Sequence, residues 1–335
     1  MNEYKLALLH WIPLKLFTEG NEILCQWLYV GDKQFTEPFF DETILHCRQL
    51  KKNVHVYKCV SSLDVLPAWA ENLDAVAPTA FIFHVSRCGS TLLSQLLALN
   101  ADNLVLSEVP FLDELLRLRF KNTKNIKEET NENINRYFKA ALAFYGKRNA
   151  HDQTKMFIKT DSWHLLFYKQ IRELYPQALF ILLYRSPAEI IRSQKKLRGM
   201  QSIPGVIETE LFGFGKEDIA YDLDVYMSRV LEKYFTELLE IIVKDNFCIL
   251  VNYQEGIPAI MNRIMHFTGL SPKSEDLAKI EERIRFDAKN PSRIFINEPD
   301  ETITPPYLQN CIALYNDLEE KRLSLKQPVI KSANF

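Results

Sequence analysis

No stretch of the 335 residues stays apolar long enough to form a membrane-spanning helix. Charge of neither sign dominates, since 41 Lys and Arg stand against 43 Asp and Glu. That near balance excludes the general basicity of a protein that coats duplex nucleic acid or an anionic membrane surface, so any basic site must be local. The six cysteines, Cys25, Cys47, Cys59, Cys88, Cys248 and Cys311, include no Cys-x-x-Cys pair, and no histidine cluster has zinc-ligand spacing. A reduced, cytoplasmic setting is the simplest expectation. The opening MNEYKLALLHWIPLKLF places a lysine before apolar residues, but His10, Pro13 and Lys15 interrupt it and no small-residue cleavage site follows, which argues against a signal peptide. Internal repeats and low-complexity tracts are missing too.

What is present is a chain that is 47% hydrophobic, enough for a sizeable core and for one large domain carrying an extra lobe. Residues 1–75 hold short apolar runs, ILCQWLYV and NVHVYKCV, broken by GDK, TEPFFDET and LKKN, and predict a small β-rich lobe of strands and turns. From residue 76 to 335 a different pattern holds. Strands at 80–85, 103–106, 155–159, 178–184 and 247–251 alternate with helices at 89–99, 110–120, 132–147, 163–174, 187–198, 218–244 and 256–268. Such alternation predicts right-handed crossovers, and hence a three-layer α/β domain with a central parallel sheet. The polar stretch 121–133 reads as a solvated excursion.

Two stretches carry chemistry. HVSRCGSTLL, 84–93, runs from an apolar strand into an apolar helix. A loop in that place offers backbone N–H groups and the positive end of a helix dipole. Gly89 allows an anion close to the backbone, Ser86, Ser90 and Thr91 add hydroxyls, Arg87 adds a fixed charge, and Cys88 is a small residue in the turn rather than a nucleophile. The Walker pattern G-x-x-x-x-G-K-[ST] is absent, and the strand ends at 159–161 and 184–186, Lys-Thr-Asp and Tyr-Arg-Ser, present cations where a nucleotide triphosphatase needs a magnesium-binding aspartate. A phosphate-containing donor handled without a metal fits better. In FILLYRSPAEIIRSQ, 180–194, a strand ends at Arg185, Pro187 opens a helix, and Ser193 follows eight residues after the arginine.

Together these stretches resemble the phosphate-binding motifs of the sulfotransferases that use 3′-phosphoadenosine 5′-phosphosulfate. HVSRCGSTLL is similar to that family's 5′-phosphosulfate loop, and the Arg and Ser of YRSPAEIIRS match its 3′-phosphate motif. NYQEGIPAIMNRIMHFTGL, 252–270, resembles its C-terminal segment, so the resemblance spans roughly residues 79–297 and leaves the N-terminal lobe outside it. Arg87 replaces the loop lysine of the cytosolic enzymes and Asp161 their histidine after Lys-Thr, departures that point to the bacterial and carbohydrate branches.

The resemblance implies that Ser86 to Thr91 hold the 5′-phosphosulfate and that Arg185 and Ser193 hold the 3′-phosphate, with Arg192 a weaker candidate. It implies that Lys159 touches the leaving oxygen, where in-line transfer builds negative charge; the plain alternative is a snorkelling strand-end lysine. A hydroxyl acceptor needs a general base. Glu108 matches the glutamate of glycosaminoglycan sulfotransferases and Asp161 competes with it, while His84 and His164 are more ordinary as packing residues. Either acid could instead cap the following helix. The glycine-containing stretch 199–218 reads as a lid or an irregular loop, and Arg285, Lys289 and Arg293 stand where a basic loop would cover the nucleotide. The expectation is therefore sulfuryl transfer to a hydroxyl or amine, with no metal, no nucleic acid partner and no membrane span. A kinase or nucleotide hydrolase, or a non-catalytic nucleotide-binding scaffold, are the alternatives, and carbohydrate, lipid, small metabolite and peptide acceptors all stay open.

Overall fold

The structure, a computed structural model, describes residues 8–121, 129–148, 153–271, 274–284 and 305–325. A five-stranded parallel sheet has the order β5-β6-β4-β7-β8, with β4 at Pro78–His84, β5 at Asn103–Ser107, β6 at Lys155–Lys159, β7 at Leu179–Tyr184 and β8 at Cys248–Asn252. Helices flank it. A separate three-stranded antiparallel sheet joins β1 (Trp11–Glu19), β2 (Glu22–Tyr29) and β3 (Val60–Ser62). By internal packing the chain divides into two compact units, one from the described residues of 1–79, 97–159 and 170–176, the other from those of 80–96, 160–169 and 177–335.

In the first unit, Pro13 lies in β1, which pairs only with β2, and the register shifts between Pro13 and Lys15. An edge strand tolerates the missing N–H. Helices α4 (Pro110–Leu116) and α5 (Asn131–Gly146) hold this strand through side chains: Glu114 accepts the Leu16 N–H at 2.6 Å, the Tyr145 hydroxyl donates to the Pro13 carbonyl at 2.5 Å, and Lys147 donates to the Trp11 carbonyl at 2.6 Å. Trp27 packs edge-on against Phe144, and Phe40 against Tyr145. These aromatic faces, and not the β1–β2 hairpin alone, give the lobe a core.

The N-terminal lobe is less purely β than its sequence pattern predicts. It contains α1 (Phe40–Arg48), which begins inside TEPFFDET, and α2 (Val65–Ala70). NVHVYKCV is a strand only at Val60, and Val54, Val56 and Tyr57 are exposed. The reason is local. Asn53 takes the place of a strand partner for Tyr29, accepting its N–H at 3.0 Å and donating to its carbonyl at 2.7 Å, and donates also to the Cys47 carbonyl at 2.6 Å. Two predicted helices are likewise broken. The one at 110–120 stops at Leu116 and continues as a 3-10 turn at Leu118–Phe120, and that at 163–174 opens as a 3-10 segment, Ser162–Phe167, before α6 (Tyr168–Leu174).

In the second unit, β7 lies between β4 and β8, and Phe81 and Phe83 of β4 pack against Phe180 of β7. Helix α8 (Leu223–Lys244) is capped by the Asp222 carboxylate, which accepts the N–H groups of Asp224 and Val225 at 2.7 and 3.2 Å. It buries Tyr226, Val230, Tyr234, Leu238 and Ile241 along one face at helical spacing. The C-terminal α11 (Gln309–Ser324) packs against α8 and buries Cys311 and Leu318. None of the six cysteines forms a disulfide, and no helix among the described residues is long and apolar enough to cross a membrane.

Candidate active site

After β4 the chain turns into α3 (Ser90–Ala98) through Val85 to Gly89. Ser86 and Arg87 adopt left-handed backbone angles, φ 68° and 52°, and Gly89 follows at φ 83°. Among the described residues, only one other non-glycine residue has positive φ, Glu108 at 54°. For side-chain-bearing residues this conformation costs on the order of 1–3 kcal/mol each, and it persists where surrounding contacts impose it. In the loop those contacts are visible. The Ser86 N–H donates to His84 Nδ1 at 3.1 Å, His84 Nε2 donates to the Thr160 carbonyl at 2.9 Å, and the buried Gln194 donates from Nε2 to Ser86 Oγ at 3.2 Å. A turn of this kind gathers N–H groups into an anion-binding concavity at the start of a helix.

Gly89 is fixed twice over. Besides its φ, a Cβ there would lie 2.4 Å from the Tyr253 ring. Tyr253 also lies beneath Arg185, whose guanidinium carbon is 4.5 Å from the ring centroid. Arg185 donates to the Arg87 carbonyl at 3.2 Å and to Glu189 at 2.7 Å, and its Nε is buried with no hydrogen-bond partner. From the other motif, Ser193 Oγ accepts from Arg87 Nε at 2.7 Å. Ser90 and Thr91 are buried at the first turn of α3, whereas the Cys88 thiol is turned inward, 3.6 Å from the Leu183 carbonyl, and offers the loop only its backbone. Within the second unit, then, the residues assigned to the two phosphate motifs form one contiguous cluster. Arg192, on α7 (Pro187–Lys196), is half-buried beside it in sequence.

The first unit holds the other pair. Lys159, the last residue of β6, has no side-chain exposure, and its Nζ lies 2.6 Å from Glu108 Oε1. Glu108 follows β5 and is tied to the same lysine through the backbone, its N–H donating to the Lys159 carbonyl at 2.8 Å. The ring of Phe39, from the N-terminal lobe, lies 4.9 Å from the ammonium. A little further on, the Asp41 carboxyl is pushed above the usual carboxylate range, chiefly by partial burial and then by the charge of Glu108, with Arg48 opposing. In the second unit, Asp161 opens the 3-10 segment at Ser162–Phe167 in a capping box with His164: its N–H donates to His164 Nδ1 at 3.4 Å, and its carboxylate is 3.8 Å from His164 Nε2.

The stretch 199–218 is ordered into three 3-10 turns, Met200–Ser202, Thr209–Phe212 and Lys216–Asp218, with Gln201, Ile207, Leu211 and Phe212 buried. Gln194 links it to the loop, accepting the Gly199 N–H at 2.7 Å. Arg285, Lys289 and Arg293 lie outside the described residues. Sequence reasoning missed Phe39, Tyr253, Gln194, Glu189 and the clamping role of His84. Only Glu189 had a usable signal, four residues after Arg185 on one helix face.

A family model described as the sulfotransferase family matches residues 78–271, more than half of the chain. No curated protein sequence matches it. Among solved structures, the sulfotransferase domain of the curacin biosynthetic pathway is 14% identical, covers 73% of this chain and 99% of its own, and gives a TM-score of 0.45. A sulfotransferase from Alicyclobacillus acidocaldarius is 16% identical, with 63% and 97% covered and a TM-score of 0.39, and one from Mycobacterium avium is 13% identical, with 78% and 79% covered and a TM-score of 0.41.

Proposed function

The chain belongs to the sulfotransferase family, and on that premise we propose that it transfers a sulfuryl group from 3′-phosphoadenosine 5′-phosphosulfate to a hydroxyl or amine. The observation that carries the choice of donor is the 2.7 Å hydrogen bond from Arg87 to Ser193, which joins two motifs more than a hundred residues apart in sequence. A ligand with phosphates on both its 5′ and 3′ carbons makes use of both. The buried, unpartnered Nε of Arg185 supports the same choice, because a buried donor calls for an acceptor and a guanidinium suits phosphate oxygens.

In this reaction the residues divide the work. The loop at Ser86 to Thr91 would hold the phosphosulfate end through backbone N–H groups and hydroxyls, with Arg87 supplying charge, and Arg185 and Ser193 would hold the 3′-phosphate. Glu108 would take the acceptor proton as its oxygen attacks sulfur. The bond from sulfur to the phosphate-bridging oxygen breaks, the electron pair leaves with the bisphosphate nucleotide, and Lys159 would stabilise that oxygen. The charge that builds up is met by side chains, and no metal is required. Asp161 is the weaker base candidate, since its carboxylate is engaged with His164 in the capping box. Six cysteines without a disulfide suit a reducing compartment such as the cytoplasm.

Calorimetry with 3′-phosphoadenosine 5′-phosphate, AMP and ATP tests the donor. The 3′-phosphate contacts should make the first ligand tighter by about one to two decades. Equal affinities, or ATP preferred in the presence of magnesium, would overturn the proposal in favour of a kinase or hydrolase.

A further inference from the structure

The N-terminal lobe precedes the matched family segment, yet it supplies the ring over Lys159. The same unit has a cleft of about 320 Å³, within the range of small-molecule sites. Leu14, Ile44, Leu45 and Pro110 are its apolar lining. Among its other lining residues Lys15 and Arg48 are balanced by Asp41 and Glu114, so its lining has no net charge. Its lining is tied to the reacting pair through the chain and through charge: Pro110 is two residues from Glu108, Asp41 is two residues from Phe39, whose ring lies over Lys159, and the Asp41 carboxyl feels the Glu108 charge.

We propose that this cleft is the acceptor site, and that it takes an uncharged alcohol with an aliphatic body, which lies on Leu14, Ile44, Leu45 and Pro110 while its hydroxyl reaches Glu108. This assignment rests on the sulfotransfer proposed above. A polyanionic carbohydrate would meet an apolar lining and two carboxylates, and an ionic acceptor of either sign would find a lining of balanced charge. The lobe would thereby choose the acceptor, whereas the matched family segment would supply the donor site. The attacking oxygen gains the sulfuryl group, its proton passes to the Glu108 carboxylate, and the nucleotide leaves with the bridging oxygen.

The probes are 1-hexanol, 1-octanol, 1-decanol and glucose, with binding followed by ligand-observed NMR and transfer followed with radiolabelled donor. Affinity should rise with each methylene by up to about fourfold, and glucose should not compete. Leu45 is 56% exposed, so Leu45→Asp and the milder Leu45→Ser should keep the fold. Leu45→Asp should weaken 1-decanol at least tenfold and Leu45→Ser less, with affinity for 3′-phosphoadenosine 5′-phosphate unchanged. A flat chain-length series, a Leu45→Asp protein that binds like the wild type, or a glucose preference would overturn the site. So would bound alcohol that receives no label although the nucleotide binds. Failure of the nucleotide to bind would instead overturn the proposed donor, and the alkanol series would still decide what the cleft holds.

Discussion

Lys159 and Glu108 are bound to each other twice, by an ion pair of 2.6 Å between side chains and a hydrogen bond of 2.8 Å between backbones. The two partners are not equal. The lysine side chain has no contact with water, and the glutamate retains 24% of its exposure. A carboxylate in this position is both the counter-ion of a buried cation and the open end of the pair toward the solvent side.

That asymmetry sets an order of effects. Glu108→Gln should leave nucleotide binding intact and lower turnover by about 10² to 10⁴, the usual share of a general base. Lys159→Ala should lower turnover even with an acceptor that needs no deprotonation. Asp161→Asn should cost little turnover and little stability, since asparagine caps as well as aspartate, whereas Asp161→Ala should cost about 0.5–2 kcal/mol for a lost cap. For stability, Glu108→Ala should lower the melting temperature more than Lys159→Met, since it takes a counter-ion from a buried cation whereas the other variant leaves a carboxylate that water can reach. A reversed order in calorimetric melts would contradict the burial of the pair.

The Phe39 ring brings the N-terminal lobe to the Lys159 side chain. Phe39→Leu keeps an apolar cover but loses the ring quadrupole, an interaction worth about 0.5–2 kcal/mol. We expect Phe39→Leu to reduce kcat modestly and Phe39→Ala to reduce it further, with nucleotide affinity unchanged in both. Equal kcat in all three proteins would show that the ring is mere packing.

At Gly89 two constraints coincide, and they can be separated. Gly89→Ala should abolish measurable nucleotide binding, because its methyl group meets the Tyr253 ring at 2.4 Å and its φ of 83° is unfavourable. Adding Tyr253→Ala removes the clash but not the backbone strain, and it also takes away the surface on which Arg185 stacks. The double variant should therefore recover stability without recovering affinity. Full recovery of nucleotide binding would mean that neither the left-handed turn nor the stacked arginine matters to the site.

Much of this arrangement was legible in the sequence, for a definable reason. An anion-binding turn is local chemistry, so Ser86 to Thr91, and Arg185 with Ser193, could be read from short stretches. Glu108 and Lys159 could be read as strand ends. What joins them could not. Tyr253 beneath Gly89, Gln194 against Ser86 and Phe39 over Lys159 are contacts between residues far apart in the chain, and none leaves a periodicity or a spacing to detect. The N-terminal lobe shows the converse case, in which alternating Val54, Val56 and Val60 look like a strand while one asparagine side chain has taken up the neighbouring backbone groups.

Stability at low pH offers a test away from the site. Burial by itself would raise the Glu37 carboxyl, but hydrogen bonds from Lys33, Thr43 and His46 outweigh it and bring it down to about 2. Because the folded value lies below the unfolded one, 4.5, this group's contribution is present above about pH 4.5 and is lost as the pH falls toward about 2. Glu37→Gln should thus be less stable at neutral pH, and the two proteins should converge in stability on acidification through that window. Parallel curves across it would remove Glu37 from the acid response.

The antiparallel sheet of the lobe has two edges, and both are poor templates for another chain. One is β1, broken by Pro13 and its register shift and occupied by side chains of α4 and α5; the other is β3, only three residues long. Edge strands that are short, bent or proline-bearing resist pairing with a neighbouring molecule. A small sheet with so many aromatic residues would otherwise invite strand-to-strand association. The consequence is colloidal: the lobe can keep its aromatic faces for its own helices, and crowding this protein should not recruit it into extended β assemblies.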